Sequence, residues 1–241
     1  MRAILTYHSI DDSGSVISVS PSQFAEHVRW LASGAVSVKS VDALLDARTD
    51  EPAVAITFDD AFANFATHAW PMLRDAGLTA TLFVPTAFVG KTNAWDTMPG
   101  GDMPALPLLD WPALGRLANE GVSLGAHTRT HADLRALDAT AMTDEIAGSI
   151  ADIARETGVN AGGLAYPYGY HDDRVVAATR SACSWACTTV LQPLSARNDT
   201  MRLPRLDSYF LHGPARLSAF GSPLFRGYIS ARRTVRRLRG R

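Results

Sequence analysis

Short runs of β-branched and aromatic residues alternate with amphipathic helical stretches along most of the chain, and this alternation confines it to a parallel α/β architecture. Ala3–Ile10, Val36–Val38, Val54–Phe58, Thr79–Val84, Val122–Ala126, Leu164–Tyr166 and Trp185–Val190 read as strands. The stretches between them read as helices with recognisable ends. Ser20 followed by Pro21 starts one that lines up Phe24, Val28 and Leu31. A brief helix is expected around Val41–Ala47, and another runs through Phe65, Trp70 and Leu73 to a stop at Gly77. Asp110 caps a helix to Asn119 that Gly121 ends, and further helices cover Met142–Thr157 and Asp173–Ala182. The connector from Thr86 to Leu109 is long, and loops of that length are often functional.

At 241 residues the chain suits one large core or a barrel-sized single domain, with residues 1–222 as the body and 223–241 as a basic tail. No stretch approaches the roughly 18 to 20 apolar residues of a membrane span. Met1-Arg2 runs straight into Ala3–His8 without a secretory pattern, so cytoplasmic residence is expected. Cys183 and Cys187 then read as two buried thiols. The net charge of −1 hides an asymmetry: seven Arg and no Asp or Glu lie between Arg226 and Arg241. With those seven set aside, 16 basic residues face 24 acidic ones, so the body carries about −8. Phe225, Ile229, Val235 and Leu238 form a partial apolar stripe among the arginines. A basic segment of this kind suits an anionic membrane at the inner face or a solvated tail; a nucleic-acid partner is disfavoured, because nothing else suggests base stacking.

Three polar motifs fall just beyond expected strand ends: Asp59-Asp60, His127 with His131, and Tyr166-Pro167-Tyr168-Gly169. In parallel α/β barrels that rim is where active sites are built. One carboxylate and two imidazoles make the three-ligand set of a catalytic divalent metal, and the second carboxylate is left to act as a base. The His-x3-His spacing lets both imidazoles share one metal from a helical turn. Each motif alone has a bland reading as a cap, a turn or a solvated loop; together they predict a metal-assisted hydrolase.

Thr57-Phe58-Asp59-Asp60, His127-Thr-Arg-Thr-His131 and Tyr166-Pro167-Tyr168-Gly169 resemble, in order and approximate spacing, the NodB-homology polysaccharide deacetylases (carbohydrate esterase family 4). The resemblance spans roughly residues 3 to 212 and implies a distorted (β/α) barrel of about seven parallel strands. It implies that Asp60, His127 and His131 bind one divalent ion, commonly Zn²⁺, and that Asp59 is the general base. By the same resemblance the backbone N–H of Tyr168, aimed by Pro167, stabilises the oxyanion, and Tyr166 and Pro167 line the substrate. His8, in Leu-Thr-Tyr-His, resembles the N-terminal Tyr-His that supplies the acid in a circularly permuted branch of the family. His212, in Phe-Leu-His-Gly, resembles the Leu-x-His motif of unpermuted members and is the alternative acid. His27, His68 and His171 read as surface residues.

Two positions depart from the family pattern. Ala61 replaces the usual Gly after the aspartates, and Ala165 replaces the arginine that starts the third motif and holds the base. Arg205, in Leu-Pro-Arg-Leu-Asp, is expected to reach in from another strand to orient Asp59, with Asp207 as its partner or a plain strand-end residue. Trp95, Asp96 and Trp111 are candidates for the sugar site or for core packing. The resulting expectation is removal of an N-acetyl group from an amino sugar in a glycan or in a lipid- or nucleotide-linked precursor. The alternatives are an amidohydrolase acting on a non-sugar amide, and a non-catalytic glycan-binding or membrane-recruited scaffold.

Overall fold

Seven short strands, each buried, meet edge to edge in the order in which they occur in the chain. They are β1 (Arg2–Tyr7), β2 (Ala53–Phe58), β3 (Thr81–Val84), β4 (Ser123–Ala126), β5 (Gly163–Ala165), β6 (Trp185–Leu191) and β7 (Leu203–Asp207). The computed structural model describes residues 1–47, 51–95 and 105–238. Every pairing is parallel, and β7 returns to β1 with Leu5 opposite Leu206, so the sheet closes into a barrel. A two-residue strand, Ser37–Val38, adds to the N-terminal half of β2. The expected strand at Ala3–Ile10 divides: β1 ends at Tyr7, and Ser9–Ile10 pairs separately with Ser18–Val19. The last barrel strand, β7, lies beyond the run of expected strands and carries Arg205.

Alternation along each strand sorts its residues between two apolar clusters. Leu5, Val54, Ile56, Leu82, Leu164 and Leu206 join the larger cluster between barrel and helices. Ile4, Ala53, Ala55, Phe83, Ala165 and Leu203 face the other way, into the barrel. The interior is narrow, which explains its alanines. At Gly163 a Cβ would stand 2.4 Å from the Trp185 ring, so only glycine admits that ring. The same parity carries Thr57 and Asp59 inward from β2, and Arg205 inward from β7. A charged side chain therefore stands in the barrel centre, 1% exposed.

Helix Pro21–Ala32 begins as expected, with the Ser20 side chain accepting from the Gln23 N–H, and it buries Phe24, Val28 and Leu31. It also buries His27, which had read as a surface residue. The His27 ring instead lies against Tyr7, its Nδ1 2.9 Å from the Tyr7 hydroxyl. The segment from 223, expected to be a tail, forms the helix Pro223–Leu238. Its Phe225 and Ile229 are buried in the main core, whereas Val235 and Leu238 are exposed, so the apolar stripe divides between core and solvent. Among the described residues, no helix is long and apolar enough to cross a membrane.

Candidate metal centre

The two adjacent aspartates part company because the chain turns between them. The Asp59 N–H still donates to the Tyr7 carbonyl at 2.9 Å, extending the β1–β2 ladder by one residue. Asp60 and Ala61 then enter the left-handed region, with φ of 70° and 52°. That turn sends the Asp60 carboxylate across the rim toward β4. Left-handed backbone costs an L-residue about 1 to 2 kcal/mol. The five non-glycine residues that adopt it among those described are Asp60, Ala61, Thr128, His131 and Tyr168, all within the three motifs or directly after the first. Strain concentrated in this way marks a functional rim.

His127 leaves β4 with its N–H on the Val84 carbonyl, 3.0 Å, and its Nδ1 donates to the Ala165 carbonyl, 2.7 Å. That second bond fixes the ring so that Nε2 faces Asp60 Oδ1 at 3.4 Å. His131 Nε2 approaches the same oxygen at 3.5 Å. The loop joining them is not the helical turn expected from the spacing. Thr128 and His131 are left-handed, and the Thr128 hydroxyl accepts from the His131 N–H. The Glu145 carboxylate closes the loop from outside, accepting from the Arg129 N–H at 2.8 Å, the Thr130 N–H at 2.9 Å and the Thr130 hydroxyl at 2.6 Å. Glu145 reaches this point from a π-helical turn, Asp144–Gly148, of the kind often found at functional sites. Nothing in the linear sequence marks Glu145 for this contact, and the Ala165 carbonyl is equally invisible there.

One donor atom from each of Asp60, His127 and His131 lies within 4.8 Å of the others, and all three residues are buried. Asp60 Oδ1 has no hydrogen-bond partner. Burying such a group unsatisfied costs several kcal/mol. A divalent cation with nitrogen and oxygen ligands would satisfy it, and the donor set suits one. Burial pushes the His131 imidazole down to about 3, whereas for His127 the neighbouring carboxylates outweigh the same desolvation and raise it.

Asp59 is 3% exposed and is gripped from below by Arg205. The guanidinium donates to both carboxylate oxygens, Nη1 to Oδ1 at 2.6 Å and Nη2 to Oδ2 at 2.7 Å. Its Nε donates to the Thr188 carbonyl at 2.9 Å, which fixes the fork in orientation. Burial by itself would favour the neutral acid, but the charge and paired hydrogen bonds of Arg205 hold Asp59 well below the ordinary carboxylate range. Asp207 does not join this pair; it caps the next turn by accepting from the Tyr209 N–H. His8, just past β1 and partly open to solvent, has Nε2 3.7 Å from Asp59 Oδ2. His212 instead lines a separate pocket with Asp11, Gln23 and Tyr209.

The third motif forms a tight turn in which Tyr168 has φ 58° and Gly169 φ 75°. A Cβ at Gly169 would come within 2.7 Å of the Thr189 backbone nitrogen, so the turn requires glycine on two counts. The Tyr168 ring stands edge-on to His131, 4.7 Å between centroids. Tyr166, expected among the substrate contacts, is fully buried with its hydroxyl on the Met201 carbonyl. It supports the turn from the core, as does buried Pro167. Trp95 stacks on His131 at 4.7 Å and 30°. Trp111 packs against the main core, and Asp96 lies outside the described residues.

A model of the polysaccharide deacetylase family matches residues 46–183, which include both aspartates, both histidines and the Tyr166–Gly169 turn. The chain belongs to the polysaccharide deacetylase family. It is 27% identical over 202 residues to YxkH of Bacillus subtilis (strain 168), a protein assigned by name to the polysaccharide deacetylases. That match covers 81% of this chain and spans 66% of the length of YxkH. The fold is similar to the Streptococcus pyogenes deacetylase PplD, solved in complex with acetate, with TM-score 0.72 and 22% identity over 85% of this chain and 91% of that one. It is also similar to IcaB from Ammonifex degensii, with TM-score 0.71 and 20% identity over 95% of this chain and 96% of that one.

Proposed function

We propose that the chain is a metal-dependent hydrolase that removes the N-acetyl group from an amino sugar in a glycan or glycan precursor. The observation that carries this reading is the side-by-side placement of two unlike groups on the barrel rim. One is an unsatisfied carboxylate with two imidazoles, and the other is an arginine-held carboxylate 3.7 Å from a histidine. In this reading Asp60, His127 and His131 hold the ion, with Zn²⁺ as the first candidate. When bound, such an ion acidifies water and polarises an amide carbonyl.

The remaining roles fall to the chain's own side chains. Asp59 takes the proton of the attacking water, whose oxygen bonds to the carbonyl carbon. Arg205 keeps Asp59 ionised and aimed, at the cost of making it a weak base. His8 gives a proton to the departing nitrogen as the C–N bond breaks, which leaves acetate and a free amine. This assigns the acid as in the branch with an N-terminal Tyr-His, and the support for it is the 3.7 Å approach of His8 to Asp59. The Tyr168 N–H is the proposed oxyanion donor; donors of this kind are worth roughly 3 to 4 kcal/mol. Trp95, which stacks on His131, is the proposed border of the sugar.

Metal analysis combined with an acetate-release assay on N-acetylglucosamine-containing substrates tests the proposal. The expected result is about one divalent ion per chain, and acetate release that chelation abolishes and Zn²⁺ restores. Stoichiometric metal with no acetate from any amino sugar would point to a non-sugar amide. Absence of metal binding would point to a binding scaffold. The outward arginines, with exposed Leu224 and Leu238, suit an anionic membrane surface at the cytoplasmic face, which vesicle co-sedimentation of the wild type and of Leu224→Gln/Leu238→Gln tests.

A further inference from the structure

The C-terminal helix carries Arg226, Arg232, Arg233, Arg236 and Arg237 and no acidic residue. Arg226 donates to the Gly221 carbonyl and Arg233 bonds the neutral Gln192 side chain. Arg232 and Arg236 instead lie over the Phe210 ring, at 5.3 Å and 6.0 Å from its centroid. They are one helical turn apart and on one face, where like charges repel unless an anion lies between them. Phe225 and Ile229, anchored in the core, fix the helix that presents them. Both arginines line a cavity of about 380 Å³ that His8 also lines. Among the described residues of its wall the carboxylate is Asp207, whose Oδ1 accepts from the Tyr209 N–H. The cavity therefore joins the rim of the candidate site to two guanidinium forks that outnumber the one carboxylate in its wall.

We infer that this cavity receives a phosphate group carried by the N-acetylated sugar, so that the substrate class is a phosphate-linked amino sugar. The inference rests on the deacetylase reading given above. A carboxylate offers two oxygens, which one arginine fork can satisfy. A terminal phosphate monoester offers three oxygens and a diphosphate linkage four non-bridging ones, enough to engage two. Val16, Ile17 and Val235 complete an apolar margin for whatever the phosphate bears beyond it. That group is a polyprenyl chain or a nucleoside joined through a diphosphate, and the shared feature is the phosphate beside the sugar.

The test compares acetate release by the metal-loaded protein from N-acetylglucosamine 1-phosphate and from neutral methyl N-acetylglucosaminide. The expected preference in kcat/KM for the phosphate is at least tenfold. The double variant Arg232→Gln/Arg236→Gln is expected to lower that ratio at least tenfold, whereas Arg226→Gln, on the same helix outside the cavity, leaves it unchanged. Equal kcat/KM for the two substrates overturns the inference. So does an equal loss of preference in Arg226→Gln, which would assign the effect to overall helix charge. Further arms with a nucleoside diphosphate sugar and a short polyprenyl phosphate sugar identify the source of the phosphate, and a preference for either supports the cavity. If no substrate releases acetate, the deacetylase reading fails by itself. Calorimetric binding of N-acetylglucosamine 1-phosphate then decides the cavity: affinity at least tenfold weaker in the double variant supports it, and unchanged affinity overturns it.

Discussion

Replacing Arg205 separates what holds the barrel together from what aims its chemistry. The guanidinium makes two charge-assisted hydrogen bonds to Asp59, at 2.6 and 2.7 Å, and neither partner has appreciable contact with water. Arg205→Ala leaves the Asp59 charge buried and alone, a loss of roughly 3 to 5 kcal/mol. For a chain of this size that lowers the melting temperature by about 10 °C. Arg205 touches no part of the rim where substrate would lie, so its removal acts through Asp59. With the base misplaced, kcat for acetate release should fall by about 100-fold or more, and KM should stay within a few-fold of wild type. Arg205→Lys separates the two effects. It returns a charge without the planar fork, so it recovers part of the stability while kcat stays at least tenfold down. Adding Asp59→Asn to Arg205→Ala removes the orphaned charge and should recover most of the lost stability, as measured by urea denaturation. Metal content, measured in parallel, should be unchanged. If Arg205→Ala, still folded and loaded with metal, turned over within threefold of wild type, then the fork would not be what positions Asp59.

Three further outcomes follow from neighbouring features. Ala61→Gly relieves a left-handed φ of 52° and is expected to stabilise the protein by up to about 1 kcal/mol, less than the full strain because glycine costs more entropy on folding; a clear loss in a thermal melt would show that φ is not the governing factor. Glu145→Ala removes the acceptor for three donors of the His127–His131 loop and should weaken Zn²⁺ affinity 10- to 100-fold in a competition titration, with unchanged affinity as the refuting result. His27 is pushed down by burial, with His212 adding to the effect, to about 4. The unfolded chain therefore takes up a proton near pH 6.5 that the folded one refuses until about pH 4, so this contribution is full above 6.5 and declines by about 3 kcal/mol toward pH 4. Urea midpoints should show an acid loss smaller by that amount in His27→Gln than in the wild type; equal slopes would refute it.

The barrel and the members of its site differ in how far a linear reading reaches them. Parallel α/β organisation shows in the alternation of apolar strands with capped helices, and Ser20 and Asp110 cap where their spacing predicts. The Asp59-Asp60, His127, His131 and Tyr166–Gly169 motifs mark the rim because chain reversal there needs unusual residues. Side-chain direction is harder to read. Tyr166 stands in a motif yet points into the core, because its backbone continues the strand and the turn begins only at Pro167. His27 reads as a surface residue by its type, yet its place three residues after Phe24 and four before Leu31 puts it on the buried stripe, where Tyr7 offers it a hydroxyl. Glu145 leaves no linear trace, since its partners lie 15 and 16 residues away in a loop shaped by tertiary contact. The C-terminal arginines read as a tail because their number hides Phe225 and Ile229, which are enough to dock a helix.

Ala165 and Arg205 show why one such feature is both absent and present. In the family pattern an arginine on the strand now ending at Ala165 holds the base, and here that position is a buried methyl group inside the barrel. Arg205 stands two strands along, on β7, with its head against Asp59. A closed barrel of seven strands brings side chains from every strand to one interior, so a cation can reach the same carboxylate from more than one of them. What the site needs is one guanidinium in a space that admits only one, and a small residue must occupy whichever strand does not supply it. Alanine at 165 and arginine at 205 are then one arrangement rather than two departures. Its signal in the sequence is a charge at an inward position of the buried strand Leu203–Asp207. A double variant, Ala165→Arg with Arg205→Ala, should therefore recover part of the turnover that Arg205→Ala loses, and Ala165→Arg alone should destabilise the barrel by placing two cations in one interior. If the double variant were no more active than Arg205→Ala, the two strands would not be interchangeable as sources of the charge.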